Sequence, residues 1–274
     1  VPTVEAELLG IVVTFSHTKM SLTLPTSKRE RILEELRNLI AAPTVPLATL
    51  SKLCGKLVFA SSTSPDFSWR AATRTLFRFT SRSHYQRHSL DLKHALGNIL
   101  AMVSAAPVSR DLLLYREGRR PFVVYTDAES PGNRLAGVLY CPRGGKSRDR
   151  YYSEIIPADL LSSLMPRKNQ IVALELCAAV TAINTFRDVL KGQCVWLYID
   201  SRAAEFALIR GSSAKSDLND MTASLWRTAA SHSISIWISR VPSEQNIADG
   251  PSRRQYGDVI RLARVPAKWV RPDQ

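Results

Sequence analysis

Three β-prone runs succeed one another from residue 122 before any helix intervenes: FVVYTD, LAGVLYC and RYYSEII, parted by the turn-forming strings PGN and PRGGKSRD. An apolar helical stretch of roughly six turns, NQIVALELCAAVTAINTFRDVL, comes next. Residues 194–199 then read as a buried strand, 201–209 and 217–230 as helices, and ISIWISRV as a last strand. That order restricts this part of the chain to a mixed α/β sheet of five strands with helices on its faces.

The preceding residues are patterned differently. Residues 8–15 and 20–24 are β-prone and flank the polar SHTK, which predicts a β-hairpin ended by Pro25. Ser27 and Glu30 have capping-box spacing, and Ile32, Leu33, Leu36, Leu39 and Ile40 recur at helical intervals. A second helix is predicted from about residue 47, with Leu50, Leu53 and Leu57 on one face and Gly55 admitting a close neighbour. Two more are predicted over 69–82, with Trp69, Leu76 and Phe77 toward the core, and over 90–103. The composition changes at REGRRP. The expected division is therefore a small, mostly helical domain with an N-terminal hairpin over 1–120, an α/β domain over 121–256 and a tail over 257–274.

A net charge of +13 over 274 residues favours a polyanionic partner, and a hydrophobic content of 45% excludes a disordered basic tail for most of the length. No apolar run approaches the roughly 20 residues of a membrane span, and VPTVEAELLG lacks the basic-then-apolar form of a leader. No membrane partner is expected, and the setting expected is intracellular, in nucleus, cytoplasm or organelle. Without an initiator Met, the chain reads as a fragment or processed product. Cys54, Cys141, Cys177 and Cys194 form no C-x-x-C pair and have no His at zinc-ligand spacing, so they read as reduced, mostly buried small hydrophobes. His84 and His88 stand one helical turn apart with no third ligand nearby and read as surface residues.

Four acids stand out by context. Asp127 and Asp200 end apolar runs, Glu175 interrupts an apolar helix face, and Asp249 lies in SEQNIADGPSRR. An isolated buried carboxylate costs several kcal/mol or more, so such acids call for a cation or a hydrogen-bond network. Each has a plainer reading too: Asp127 as a turn residue, Glu175 as a solvated side chain, and Asp200 and Asp249 as helix N-caps. Four together, in this order on these elements, point to a divalent-metal site.

These strings resemble the ribonuclease H region of retroelement reverse transcriptases, DIRS-like elements in particular. VPSEQNIADGPSRR carries the resemblance most specifically, being similar to a P-S-x-x-N-x-A-D-x-x-S-R ending. ELLGIVVTF resembles the end of a polymerase palm, and LTLPTSKRERILEEL with LSKLCGKLVFAS resembles the thumb and connection. The resemblance implies a ribonuclease H-like fold in which Asp127, Glu175, Asp200 and Asp249 are the catalytic and metal-binding set. It further implies two Mg²⁺ ions, replaceable by Mn²⁺, roughly 4 Å apart, and hydrolysis of the RNA strand of RNA·DNA hybrids. The polymerase's two-aspartate turn would lie upstream of Val1, so no polymerisation is expected of this chain alone. Two departures are visible: TDAESPGNRLAGVLY is longer and less glycine-rich than the family's T-D-A-S-x-x-G-x-G-A, and no histidine precedes Asp249.

Arg70, Arg74, Arg78 and Arg82 recur every four residues and predict a guanidinium stripe suited to a phosphate backbone. Lys28, Arg29 and Arg31 crowd a helix N-terminus. Arg143, Lys146, Arg148 and Arg150 around a Gly-Gly loop, and Arg253 and Arg254 after the last acid, are placed to hold an RNA·DNA hybrid or RNA. The alternative is a domesticated module acting as a structural or RNA-binding subunit of a ribonucleoprotein, with an upstream polymerase domain as a further partner. An integrase on the same fold fits less well, because its glutamate comes late whereas Glu175 precedes Asp200.

Overall fold

The computed structural model describes residues 4–16, 19–63, 68–80, 85–87, 90–104, 109–113, 120–142 and 148–270. The chain divides into two units, Val1–Gly118 and Arg119–Gln274.

In the first unit the β-prone stretch 8–15 is two strands where the sequence reading makes one. Leu9 and Gly10 take φ values of 49° and 77° and turn the chain between β1 (Val4–Leu8) and β2 (Ile11–Phe15). Glycine adopts that region without a Cβ penalty. β2 pairs antiparallel with β3 (Lys19–Thr23), the expected hairpin, and β6 (Ser109–Leu113) extends it to a four-stranded sheet of order β1-β2-β3-β6. The helices are α1 (Thr26–Ala41), α2 (Leu47–Ala60), α3 (Ser68–Thr80) and α4 (Leu90–Ser104), with a two-stranded pair of β4 (Thr44–Pro46) and β5 (Tyr85–Arg87). Leu36, Leu50, Leu53, Leu76 and Leu96 are fully buried and anchor one aliphatic core.

Three local expectations fail here. The Ser27–Glu30 box does not form, because Pro25 takes the N-cap and its carbonyl accepts from the Lys28 and Arg29 N–H groups at 3.0 Å each. A Cβ at Gly55 would meet nothing within 4 Å, so that glycine admits no close neighbour. Phe77 is 39% exposed, while Trp69 and Leu76 are buried.

The second unit runs β7 (Phe122–Glu129), β8 (Arg134–Tyr140), β9 (Arg150–Ile155), α5 (Ala158–Ser163), α6 (Ile171–Leu190) and β10 (Cys194–Ile199). It continues with α7 (Arg202–Arg210), α8 (Ser216–Ser231), β11 (Ser235–Arg240), α9 (Asp249–Ser252) and β12 (Ala263–Arg264). The sheet order is β11-β10-β7-β8-β9-β12. β7, β8 and β9 form an antiparallel meander, and β10 lies parallel to both β7 and β11. This is a ribonuclease H-like architecture, with a mixed sheet and flanking helices. It has six strands, where the sequence reading has five followed by a tail. Ala263 and Arg264 pair parallel with Arg150 and Tyr151, and the Lys268 N–H donates to Thr185 Oγ1 at 2.9 Å. A two-residue strand is too short to show any periodicity, which is why the sequence did not reveal it.

α6 is buried on nearly every side, and its Leu174, Leu176, Ile183 and Phe186 each contribute about 1.5–3 kcal/mol by burial. Tyr152 of β9 ties this helix to the sheet: it is fully buried, and its hydroxyl donates to the Ala178 carbonyl at 2.9 Å. Its cross-strand partner is Gly137, where a Cβ would come within 2.4 Å of the Tyr152 ring. Among the described residues, no helix is long and apolar enough to cross a membrane.

Candidate active site

β7 alternates Val124, Thr126 and Ala128, all buried, with Asp127 between them, 3% exposed. Asp127 is thus inside the strand, opposite Ala136, and is not a turn residue. Its Oδ2 accepts from Ser252 Oγ at 2.5 Å, and Asn246 Nδ2 stands 3.5 Å from Oδ1. The same Asn246 amide donates to the Thr126 carbonyl at 2.9 Å, and its oxygen accepts from the Ala248 N–H at 3.2 Å.

Glu175 sits in the second turn of α6 and is also 3% exposed, so the solvated reading fails. Its Oε1 accepts from the Ala128 N–H at 3.3 Å, while Oε2 is buried without a partner. Asp200 follows the last residue of β10, and its Oδ2 accepts from Ser243 Oγ at 2.9 Å. The cap of α7 is Ser201, whose side chain accepts from the Ala204 N–H, so Asp200 is not the cap. Carboxylate oxygens of Asp127, Glu175 and Asp200 all lie within 4.8 Å of one another.

Asp249 stands outside that trio. It is the first residue of α9, whose N-cap is Ala248, and its Oδ1 accepts from Arg253 Nε at 2.9 Å and Nη2 at 2.8 Å. Its charge still acts on both Asp127 and Glu175.

Three full negative charges so close would repel by on the order of 3 kcal/mol per pair at an effective dielectric of about 20. Against a typical domain stability of about 5–15 kcal/mol, that cannot stand uncompensated. Protonation answers part of it. Burial, then the charges of Asp127 and Asp200, push Glu175 up to about 9. Burial raises Asp127 to about 6, with Ser252's hydrogen bond pulling the other way and Asp200 and Asp249 adding to the rise. A bound cation would answer the rest. The donor set is all oxygen, and the orphaned Glu175 Oε2 is a ready ligand, so the residues fit a hard divalent ion such as Mg²⁺.

The sequence reading did not give Ser243, Asn246 and Ser252 a role, although all three are lettered positions of the string that carried the resemblance. Each reaches an acid or its strand, Ser243 to Asp200 and Asn246 and Ser252 to β7 and Asp127.

The basic residues are scattered. Arg70, Arg74 and Arg78 lie on α3 of the first unit, with Arg74 exposed and the others half-buried. Arg253 pairs with Asp249. Arg82, Arg143 and Lys146 lie outside the described residues. In the Lys28–Arg31 cluster, Arg29 donates to the Val103 and Ser104 carbonyls at the end of α4, and Lys28 to the Gly10 carbonyl. Those two cations serve the fold.

No family model and no curated protein sequence matches this chain. Among solved structures, the RNase H1 of the halophilic archaeon Halobacterium salinarum NRC-1 aligns at 20% identity and a TM-score of 0.37, over 51% of this chain and 100% of that one. A foamy viral protease-reverse transcriptase in complex with an RNA/DNA hybrid aligns at 20% identity and a TM-score of 0.32. Its dRH form with double-stranded DNA aligns at 16% and 0.31. Both alignments cover 86% of this chain, which spans 29% and 38% of the respective viral chains.

Proposed function

We propose that this protein hydrolyses the RNA strand of RNA·DNA hybrids, with Asp127, Glu175 and Asp200 as the metal-holding trio and Asp249 completing the set from α9. The observation that carries the reading is the meeting of three carboxylates from three separate elements, two of them buried and one with an oxygen left without a partner. Bound there, a pair of divalent cations would supply Lewis acidity and lower the pKa of water for in-line attack on a phosphodiester.

The chain's own contribution is placement. Ser252 and Asn246 fix the Asp127 carboxylate, Ser243 fixes that of Asp200, and the Ala128 N–H orients Glu175. Groups of this kind commonly matter about 10–100-fold in metal affinity or activity. Burial and the neighbouring acids push Glu175 up to about 9, so a cation held by its oxygens would displace a proton, and metal uptake would be coupled to proton release. Asp249, clasped by Arg253, lies near enough to act on both buried acids by its charge.

The decisive experiment is cleavage of a labelled RNA·DNA hybrid in Mg²⁺ or Mn²⁺, with double-stranded RNA and Asp127→Asn as controls. Hybrid-selective cleavage that disappears in the variant upholds the reading. Hybrid or RNA bound tightly but never cut by the unaltered protein would overturn it in favour of a recruited RNA-binding subunit.

A further inference from the structure

Resting on that reading, we infer that Arg134 and Arg264 form a separate binding site for one phosphodiester oxyanion of the nucleic-acid substrate, beside the acid cluster. Arg134 Nη1 donates to the Ser153 carbonyl at 3.0 Å and to Ser153 Oγ at 3.2 Å. Arg264 Nη2 donates to the same carbonyl at 3.1 Å. The two nitrogens therefore stand within about 6 Å of each other, where two cations repel.

Among the described residues, no carboxylate oxygen lies within ion-pair distance of either guanidinium, and the only acceptors that hold them are two neutral oxygens of one serine. Ser153 Oγ spends its proton on the Pro251 carbonyl at 2.7 Å. Arg134 Nε is buried and has no partner at all. Arg264, the exposed fork of the pair, is suited to a phosphate, with the Arg134 charge beside it adding to the attraction.

The placement ties this pair to the reaction. Asp127, Ala136 and Ser153 are successive cross-strand partners in one row across β7, β8 and β9. With strands about 4.8 Å apart, Ser153 lies about 10 Å from Asp127. The four-residue α9 spans the same interval, carrying Ser252 onto Asp127 and the Pro251 carbonyl onto Ser153. A phosphate held at the arginines would fix the register of the strand relative to the carboxylates. Such a contact positions the backbone and reads no base.

The test uses full-length protein carrying Asp127→Asn, so that hybrid binding is followed without cleavage. Arg264 is exposed, and Arg264→Ala is expected to weaken hybrid binding roughly three- to tenfold and to flatten the log-affinity against log-salt slope by about one ion. Single neutral methylphosphonates are then placed along the RNA strand. One position is expected to weaken binding when Arg264 is present and to be silent in Arg264→Ala, with Arg264→Lys intermediate because it keeps the charge and loses the fork. An unchanged salt slope, or a methylphosphonate profile identical with and without Arg264, would overturn the site. A position-specific effect with no hybrid cleavage by the unaltered protein would leave the site standing and remove the nuclease reading.

Discussion

Among the described residues, the first unit's buried polar side chains are hydroxyls alone, Ser61, Thr63 and Thr73, each donating to a carbonyl three or four residues back. The second unit buries three acids, Asp127, Glu175 and Asp217. Asp217 is the instructive control within it. Arg167 meets it through both terminal nitrogens, at 2.5 and 2.7 Å, and the Met165 N–H adds a third bond at 3.0 Å. Burial works to raise Asp217, yet Arg167 and the backbone donors win and hold it below the usual carboxylate range. Asp127 and Glu175, set deeper and with no cation paired to them, are raised. A buried acid with its counter-ion in place is part of the fold, whereas one without it is a candidate ligand for a cation.

The largest break in that contrast should come from Asp127→Asn. Hybrid cleavage is expected to fall at least about 1000-fold, about 4 kcal/mol of transition-state stabilisation, in a single-turnover assay. The thermal midpoint should not fall with it, because the exchange removes a buried carboxylate charge that lies beside Asp200. Arg167→Ala should do the reverse. It leaves Asp217 buried and unpaired, costing about 3–5 kcal/mol in denaturant unfolding, with the acid trio untouched.

Ser252→Ala sharpens the comparison at a lower level. It removes the hydroxyl on Asp127 Oδ2 and should weaken Mg²⁺ affinity by about 10–100-fold, read by calorimetry. The smallest effect per unit step is in pH. Glu175 rises from 4.5 to about 9 in the folded chain, so between those values the unfolded state has lost a proton that the folded state keeps. Stability in chelator should therefore fall as pH climbs through that window, by at most about 1.4 kcal/mol per unit for this group, and Glu175→Gln should flatten the slope. A chelated wild-type protein that gains stability from pH 5 to 9 would contradict the assignment of Glu175 as uncompensated.

The acids were legible because a carboxylate inside FVVYTD or IVALELCAAV conflicts with its own neighbourhood, and that conflict is local. The elements of the mixed sheet were legible through periodicity. What holds the acids was not. Ser252 and Asn246 reach Asp127 across 125 and 119 residues, and no pattern within a window encodes such a contact. The Arg167–Asp217 pair, 50 residues apart, was invisible for the same reason. Ser27 and Glu30 show the opposite failure: their spacing suits a cap, but the carbonyl of Pro25 had already taken the position.

Gly137 bears on what keeps the acids at their spacing. Tyr152 reaches the Ala178 carbonyl, three residues along α6 from Glu175, with its ring lying where a Cβ at its cross-strand neighbour Gly137 would come within 2.4 Å. A chain with all four carboxylates intact and an alanine at that point would have to move either the tyrosine or the helix. Its acids would then keep their letters and lose their spacing, so the placement of Glu175 depends on room for one methyl group on a strand that carries none.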